Sequence, residues 1–391
     1  MRILITLTPP LDPSTGGVQM STVKLSRMLS PFGHEISVFS FANDGHIDQP
    51  TCEVVGAPFA GGVAEPRNLD ALAAHLQRFK PDVTINQMPY EHPIGTVLRQ
   101  YPAPALGCLR NTLYSVRNNL DAYAERSLPA AFVPLGKTAL GHQLLLARHK
   151  RRHAADLRRI LATYDRFVLF AEPNLEELRF FVPEFDLGSI VLIPNSIPDV
   201  APEVPAKEKR ILWLGRVTRT QKRADMILPL WERLAARLPD WEFDVVGDGD
   251  LGDALRREAA QKGIPRITFH GKQVSEPFFR RSAVFIMTSE FEGFPNTLVE
   301  AQSRGAVPVV FDSYPMASWL VSNDQNGALV KTGDLAAMEA AIMDLCTSPD
   351  KRERMAKAAL ISAEQFTEAR VAGKWQSLLE EVVSSPRVAT Q

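Results

Sequence analysis

The chain alternates between short apolar runs and segments with helical periodicity. Arg2 to Leu7 is a β-rich apolar run, Gly16-Gly17 opens a periodic segment that continues through Leu29, and after the breaker Gly33 the stretch Glu35 to Ser40 is apolar again. The second half repeats this grammar, with Arg210 to Leu214 as strand, Ala224 to Leu238 as an amphipathic helix and Glu242 to Val246 as the next strand. It continues with helix Asp253 to Gln261, strands Ile267 to His270 and Ala283 to Thr288, helix Asn296 to Ser303 and strand Val307 to Phe311. Strands that alternate with helices predict an α/β protein whose parallel sheets are covered on both faces. From Leu335 to Val383 the pattern is helical. Phe366, Val371, Trp375, Leu378, Leu379 and Val382 make an apolar stripe on the last helix that must be buried against something.

Pro194, Pro198, Pro202 and Pro205 punctuate Ile193 to Lys207, which prevents regular helix and discourages a central strand. A linker is expected there. The 391 residues exceed what one hydrophobic core organises. The expected division is an N-terminal Rossmann-like domain over 1–197 and a C-terminal one over 208–369, with a final helix of about 370–391 packing back on the first.

Composition changes this picture little. The 45% hydrophobic and 23% charged residues are those of a globular protein with ample core material. Lys plus Arg (44) nearly cancels Asp plus Glu (45), so nucleic acid is not an expected partner. Cys52, Cys108 and Cys346 are scattered and lack metal or redox spacing, which suits buried thiols in a reducing, cytoplasmic setting. The opening MRILITLTPP is too short an apolar run for a signal peptide, and no stretch approaches the roughly 20 apolar residues of a membrane span.

The chemistry concentrates in Ser289 to Ala301, a strand end that runs through a loop into a helix, the kind of edge where open α/β sheets bind ligands. Pro295 suits the start of that helix, which would leave the amides of Asn296, Thr297 and Leu298 free to meet an anion such as a diphosphate. Glu292 lies in the loop and Glu300 one to two turns into the helix. A carboxylate accepts hydrogen bonds from a vicinal diol, so Glu300 is a candidate for ribose hydroxyls and Glu292 for a sugar. The bland alternative leaves Glu300 on an exposed helix face. After the strand ending at Leu214 come Gly215, Arg216 and, six positions after the Arg, Lys222: a planar fork and a point charge suited to phosphate oxygens.

These residues resemble glycosyltransferase family 4, retaining enzymes of the GT-B fold. Glu292 and Glu300 match its E-G-F-x-x-x-x-x-E signature, and Ala301 through Gly305-Ala306-Val307-Pro308-Val309-Val310 is similar to its continuation. The resemblance implies two Rossmann-like domains with parallel sheets facing across a cleft, the donor mainly on the second. It implies that Arg216 and Lys222 bind the donor diphosphate. Arg223 stands where the family usually has Gly after that Lys. Ile193-Pro194-Asn195-Ser196 is similar to the family's I-P-N-G run, with Ser196 in place of the Gly, and is read as structural.

Gly247-Asp248-Gly249-Asp250-Leu251-Gly252 imitates a dinucleotide fingerprint, the strongest rival signal. The acid expected about twenty residues on is absent near Thr268 to Gly271. The family resemblance instead makes Gly247 and Gly249 donor-side, close to the nucleoside, and gives Lys272 and Val274 to a loop that presents backbone to the base. Asp248 and Asp250 also imitate a metal-binding DxD, but two turn carboxylates are too few oxygens for a hard cation. No metal and no other cofactor is expected.

In the N-terminal half, Gly16-Gly17 resembles the family's glycine pair near the donor phosphate, at a helix start suited to anions. The family commonly has a His, often followed by Asn, after a central strand; this chain has Arg110-Asn111. His92, read as a loop residue, is a further acceptor-side candidate. The basic run Arg148 to Arg159 is either a solvated helix face or a contact with anionic lipid or a pyrophosphate-linked acceptor on the inner face of a membrane.

The expected function is retaining transfer of a hexosyl group from a nucleotide-diphosphate sugar, UDP-sugar favoured, to a hydroxyl of a glycan, lipid-linked or small-molecule acceptor in polysaccharide or glycoconjugate synthesis. Glu292 positions the sugar; Arg216 and Lys222 stabilise the leaving group. The alternatives are a nucleotide-sugar-binding protein without transfer activity, which Arg110 keeps open, and an NAD-linked oxidoreductase.

Overall fold

A computed structural model of the chain describes residues 1–385, and the end of the expected last helix, 386–391, lies outside them. The chain divides into two compact units. The first holds Met1–Leu113, Leu146–Ser196 and the residues from Glu368 onward; the second holds Tyr114–Leu145 and Ile197–Thr367.

The first unit is built on strands β1 (Arg2–Leu7), β2 (Glu35–Ser40), β3 (Glu53–Gly56), β4 (Val83–Asn86), β5 (Ala105–Cys108), β6 (Arg166–Leu169) and β7 (Ile190–Leu192). They form one parallel sheet in the order β3-β2-β1-β4-β5-β6-β7. Ile3, Leu4, Ile5 and Leu7 of β1 are fully buried, as a central parallel strand covered on both faces must be. One of those covers is the helix Glu368–Ser384, whose Val371, Trp375, Leu378, Leu379 and Val382 pack with Ile3, Ile5, Leu25 and Leu29 in one core. Phe366 of the expected stripe instead belongs to the second unit, stacked edge-on against Phe294.

The second unit uses β8 (Glu208–Leu214), β9 (Glu242–Val246), β10 (Ile267–Gly271), β11 (Ser282–Met287), β12 (Val307–Phe311) and β13 (Ala328–Val330), again all parallel, ordered β10-β9-β8-β11-β12-β13. The helix expected from Ala224 to Leu238 is divided into a 3-10 turn, Ala224–Met226, and an α-helix, Ile227–Ala235. Restarting at Ile227 puts Pro229 in the first turn, where its missing N–H and fixed φ do no harm.

The proline-rich stretch after Ile193 is held by its own backbone and by a lysine. Ile197 N–H donates to the Phe366 carbonyl at 2.8 Å and Ala201 N–H to that of Ser303 at 3.0 Å. The Lys207 ammonium donates to the carbonyls of Phe279, Arg280 and Arg304 at 3.0, 2.9 and 2.7 Å. Tyr114–Leu145 joins the same unit, tied by Asn118 Nδ2 to the Ser313 carbonyl at 3.1 Å.

Candidate active site

In each unit the chain leaves its first strand, builds outward on one side, then returns to the other side of that strand. In the second unit this reversal lies between β8 and β11, and in the first between β1 and β4. Helices on opposite faces leave a crevice at the carboxyl ends of such a strand pair, where open α/β sheets bind ligands. The loop after β8 carries Gly215, Arg216 and Lys222; the loop after β11 carries Glu292.

These two loops are bound together. Glu290 N–H donates to the Gln221 carbonyl at 2.7 Å, Thr288 Oγ1 to the Lys222 carbonyl at 2.7 Å, and Gln221 Nε2 to the Phe291 carbonyl at 3.3 Å. Trp213 Nε1 holds Thr288 Oγ1 at 3.0 Å from within the sheet. The result is an ion pair between Lys222 Nζ and Glu292 Oε1 at 2.6 Å, with side chains only 17% and 8% exposed. Burial and the charges of Glu292 and Asp312 push the phenol of buried Tyr314 well above its ordinary range, so it stays neutral beside the carboxylate.

Lys222 is therefore not a free phosphate cation, as its place in the motif suggested, but one already matched. An ammonium has three donors and a carboxylate two oxygens, so each partner keeps capacity for a ligand. Arg216, exposed at the end of β8, has no side-chain partner among the described residues. Arg223 has φ of 50°, the left-handed region that a Gly would occupy without strain. Its guanidinium is gripped by Asp225 at 3.3 Å and Glu290 at 3.2 Å.

The helix Asn296–Ser303 begins after Pro295 as expected, but two of its first amides are taken. Asn296 N–H donates to the Phe294 carbonyl at 2.9 Å across an i to i+2 turn, and Leu298 N–H to that of Pro295 at 3.0 Å across an i to i+3 turn. The Leu298 amide expected to meet a diphosphate is thus already bonded, and its side chain is fully buried. Asn296, Thr297 and Glu300 form the half-exposed side of the helix. The Thr297 hydroxyl is shielded from solvent and has no hydrogen-bond partner among the described residues.

Gly247 and Gly249 serve the fold first. A Cβ on Gly247, whose φ is 130°, would lie 1.9 Å from the Gly215 carbonyl oxygen, and one on Gly249 would lie 2.5 Å from that of Val217. Val217 N–H donates to the Asp248 carbonyl at 2.9 Å and Gly247 N–H to that of Gly271 at 2.8 Å. The glycines thus make room for the main chain that presents Arg216. Lys272 and Val274 follow Gly271 on the surface, Val274 strongly exposed.

In the first unit, Gly16 in extended conformation caps the helix Gly17–Leu29. A Cβ on Gly17 would meet nothing within 4 Å, so packing does not require a glycine there. His92 is the first residue of the helix His92–Gln100 rather than a loop residue, and its Nε2 is 3.3 Å from Asp156 Oδ1. Arg110 follows β5, and burial pushes its pKa down while the neighbouring Cys108 opposes the shift. Its guanidinium donates to Gln87 Oε1 and, at 3.4 Å, to Asn195 Oδ1. Exposed Asn111 turns its Oδ1 back to the Thr112 amide at 2.9 Å.

Several residues of this framework escaped sequence reading. Glu177 is 1% exposed and fixes the loop after Arg110 by accepting from Thr112 Oγ1 at 2.7 Å and Leu113 N–H at 2.8 Å. Gln87, Asn195, Asp225 and Glu290 act in the same way as partners of the motif cations. Asn195 and Glu290 lay in stretches with a sequence signal, whereas Glu177, Gln87 and Asp225 did not.

Known proteins resemble this chain in sequence and in fold. Residues 199–360 match the family model described as glycosyl transferases group 1. A Haemophilus influenzae protein named as an uncharacterized glycosyltransferase is 25% identical over 228 residues, which span 56% of this chain and 62% of that protein's own length. The phosphatidyl-myo-inositol mannosyltransferase of Mycolicibacterium smegmatis is 27% identical over 346 residues, 84% of this chain and 81% of that one. The fold is shared with the GT-B glycosyltransferases: the solved pneumococcal O-GlcNAc transferase GtfA, in complex with UDP and GlcNAc, superposes with a TM-score of 0.71 at 13% identity over 98% of this chain and 99% of that one.

Proposed function

We propose that this chain, whose residues 199–360 match the family model for group 1 glycosyl transferases, transfers a hexosyl group from a nucleotide-diphosphate sugar to an acceptor hydroxyl with retention of configuration. The single observation that carries the reading is the buried Lys222–Glu292 pair at the carboxyl ends of β8 and β11, beside an unpaired Arg216. Arg216 and the spare donors of Lys222 hold the diphosphate. The second oxygen of Glu292 accepts from a sugar hydroxyl, and Glu300 takes the ribose diol.

In the proposed step the anomeric C–O bond to the diphosphate breaks as the acceptor oxygen bonds the same face of the sugar, and the acceptor proton passes to the departing phosphate oxygen. Guanidinium and ammonium, fixed before reaction in a partly dry site, stabilise the charge that develops on the leaving group. They take the electrostatic part a metal ion would have, so no metal enters the scheme. Open space beside Gly17 at the start of its helix suits contact with an anion. UDP is the favoured nucleotide, because a fold relative binds it.

The acceptor is a glycan, a small molecule or a lipid-linked saccharide handled in the cytoplasm, in polysaccharide or glycoconjugate synthesis. For a lipid-borne acceptor, residues 148–159 provide contact with the membrane surface.

The test is thermal stability in the presence of UDP-, GDP- and ADP-sugars, repeated with Glu300→Ala, alongside donor hydrolysis. A stabilising donor whose effect is lost in Glu300→Ala supports the assignment. Stabilisation undiminished by that change removes the ribose role. Donor binding with neither hydrolysis nor transfer would leave a binding protein, and stabilisation by NAD alone would leave an oxidoreductase.

A further inference from the structure

Arg110, on the loop after β5, is the one half-buried arginine of the first unit that no carboxylate meets among the described residues. Arg2, Arg99 and Arg166 are also half-buried, and each has its acid: Glu35 at 3.1 Å, Asp165 at 3.0 Å and Glu381 at 2.7 Å. Arg110 has neutral acceptors instead, Gln87 Oε1 and, at 3.4 Å, Asn195 Oδ1. Burial raises the pKa of the neighbouring Cys108 thiol, so that group is uncharged as well. The Glu177 carboxylate, which fixes the same loop, accepts from Thr112, Leu113 and Asn174 rather than from Arg110. Taking a guanidinium out of water without a counter-charge is costly, and amide oxygens offset only part of that cost.

The surroundings hold this cation without neutralising it. Gln87 follows β4, Arg110 follows β5 and Asn195 follows β7, so all three stand at the carboxyl ends of parallel strands, the edge where such sheets take ligands. A guanidinium Nε can only donate, so the Gln87 amide oxygen must face it and the amide nitrogen is left over. That nitrogen is shielded from solvent and has no acceptor among the described residues. The hydroxyls of Thr6, whose carbonyl accepts from Gln87 N–H at 3.0 Å, and of Ser196, next to Asn195, are likewise buried and unpartnered. Donors are in excess around Arg110, whose fork keeps N–H groups beyond those given to Gln87 and Asn195.

We infer that Arg110 is the centre of an oxyanion site on the first unit, which takes a carboxylate or phosphate ester carried by a saccharide substrate. A planar fork held at its Nε edge by Gln87 is set for bidentate contact with such a group. The saccharide rests on the transfer reading; the anion site does not. In a transferase Arg110 then determines specificity, because a neutral sugar leaves the guanidinium unmatched.

The probes are glucuronic acid, glucose 6-phosphate, glucose and inorganic phosphate, titrated calorimetrically into the whole chain at constant ionic strength. An acidic sugar should bind at least about ten-fold more tightly than glucose or inorganic phosphate, and the better of the two names the group. Arg110→Gln should weaken that binding about ten-fold or more, and Gln87→Met, which frees the fork, several-fold. Without ligand, Arg110→Gln should melt no lower than the parent, since an unmatched cation contributes no net stability. Glucose or inorganic phosphate binding as tightly as the acidic sugars, affinities indifferent to both variants, or a melting point several degrees lower would overturn the inference. Donor hydrolysis measured in parallel separates the two readings: hydrolysis without acidic-sugar binding removes this one alone, and the reverse removes the transfer reading alone.

Discussion

Lys222 and Glu292, seventy residues apart in sequence, meet at 2.6 Å in a site that leaves each side chain less than a fifth exposed. Removing one member strands the other charge, whereas removing both does not. Lys222→Ala or Glu292→Ala should each lower stability by about 3 kcal/mol in urea unfolding. Lys222→Met with Glu292→Leu should recover most of that loss and still leave donor turnover at least a hundredfold down. Additive losses in the double variant would show that the pair is not coupled.

Glycines of the two units should respond differently. Gly247→Ala drives a methyl into the Gly215 carbonyl at a φ that alanine avoids, and should destabilise the chain by more than about 2 kcal/mol. Gly17→Ala meets nothing, so its melting temperature should stay near that of the parent. The same change should weaken donor stabilisation several-fold. Melting curves with and without UDP-sugar separate the two effects.

Arg223 combines backbone strain with two carboxylate contacts. Arg223→Gly and Arg223→Ala both lose the contacts, but only Gly relieves the left-handed φ. The Gly variant should be the more stable of the two by about 1 kcal/mol. Equal unfolding midpoints would indicate that the loop relaxes on losing the guanidinium.

His153 supplies a pH-dependent term. Burial, with help from the neighbouring His149 and against Asp156, lowers its pKa to about 4. Between the unfolded value near 6.5 and that folded value the unfolded chain binds the proton and the folded one does not, so stability rises with pH across this window. The contribution is present above about pH 6.5 and is lost as pH falls towards 4, on the order of 3 kcal/mol at most. His153→Phe should flatten that part of the profile in urea unfolding measured from pH 7 to 4.5; an unchanged slope would assign it to other groups.

The strands β1, β2, β9 and β12 and the helices Gly17–Leu29 and Asn296–Ser303 lie where the apolar periodicity put them, because periodicity reports burial directly. Errors arose where a local signal had a non-local cause. Ala224 to Leu238 reads as one helix, but the chain restarts at Ile227 so that Pro229 falls in the first turn of the α-helix. Local reading also left non-local roles unseen: Gly247 and Gly249, read as a ligand loop, also make room for Gly215 and Val217. Nothing local in Glu177 or Gln87 distinguishes them from surface polar residues.

By itself the sequence determined the alternation of strands and helices and the loop that carries Glu292 and Glu300, since both depend on residues adjacent in the chain. Tertiary structure decided that β8 and β11 are neighbours, that Lys222 is therefore matched by Glu292 while Arg216 is left open, and that Arg110 is gripped by Gln87 and Asn195. Such pairings follow from strand order and loop packing, which bring together side chains whose charges, read along the chain, look equally free.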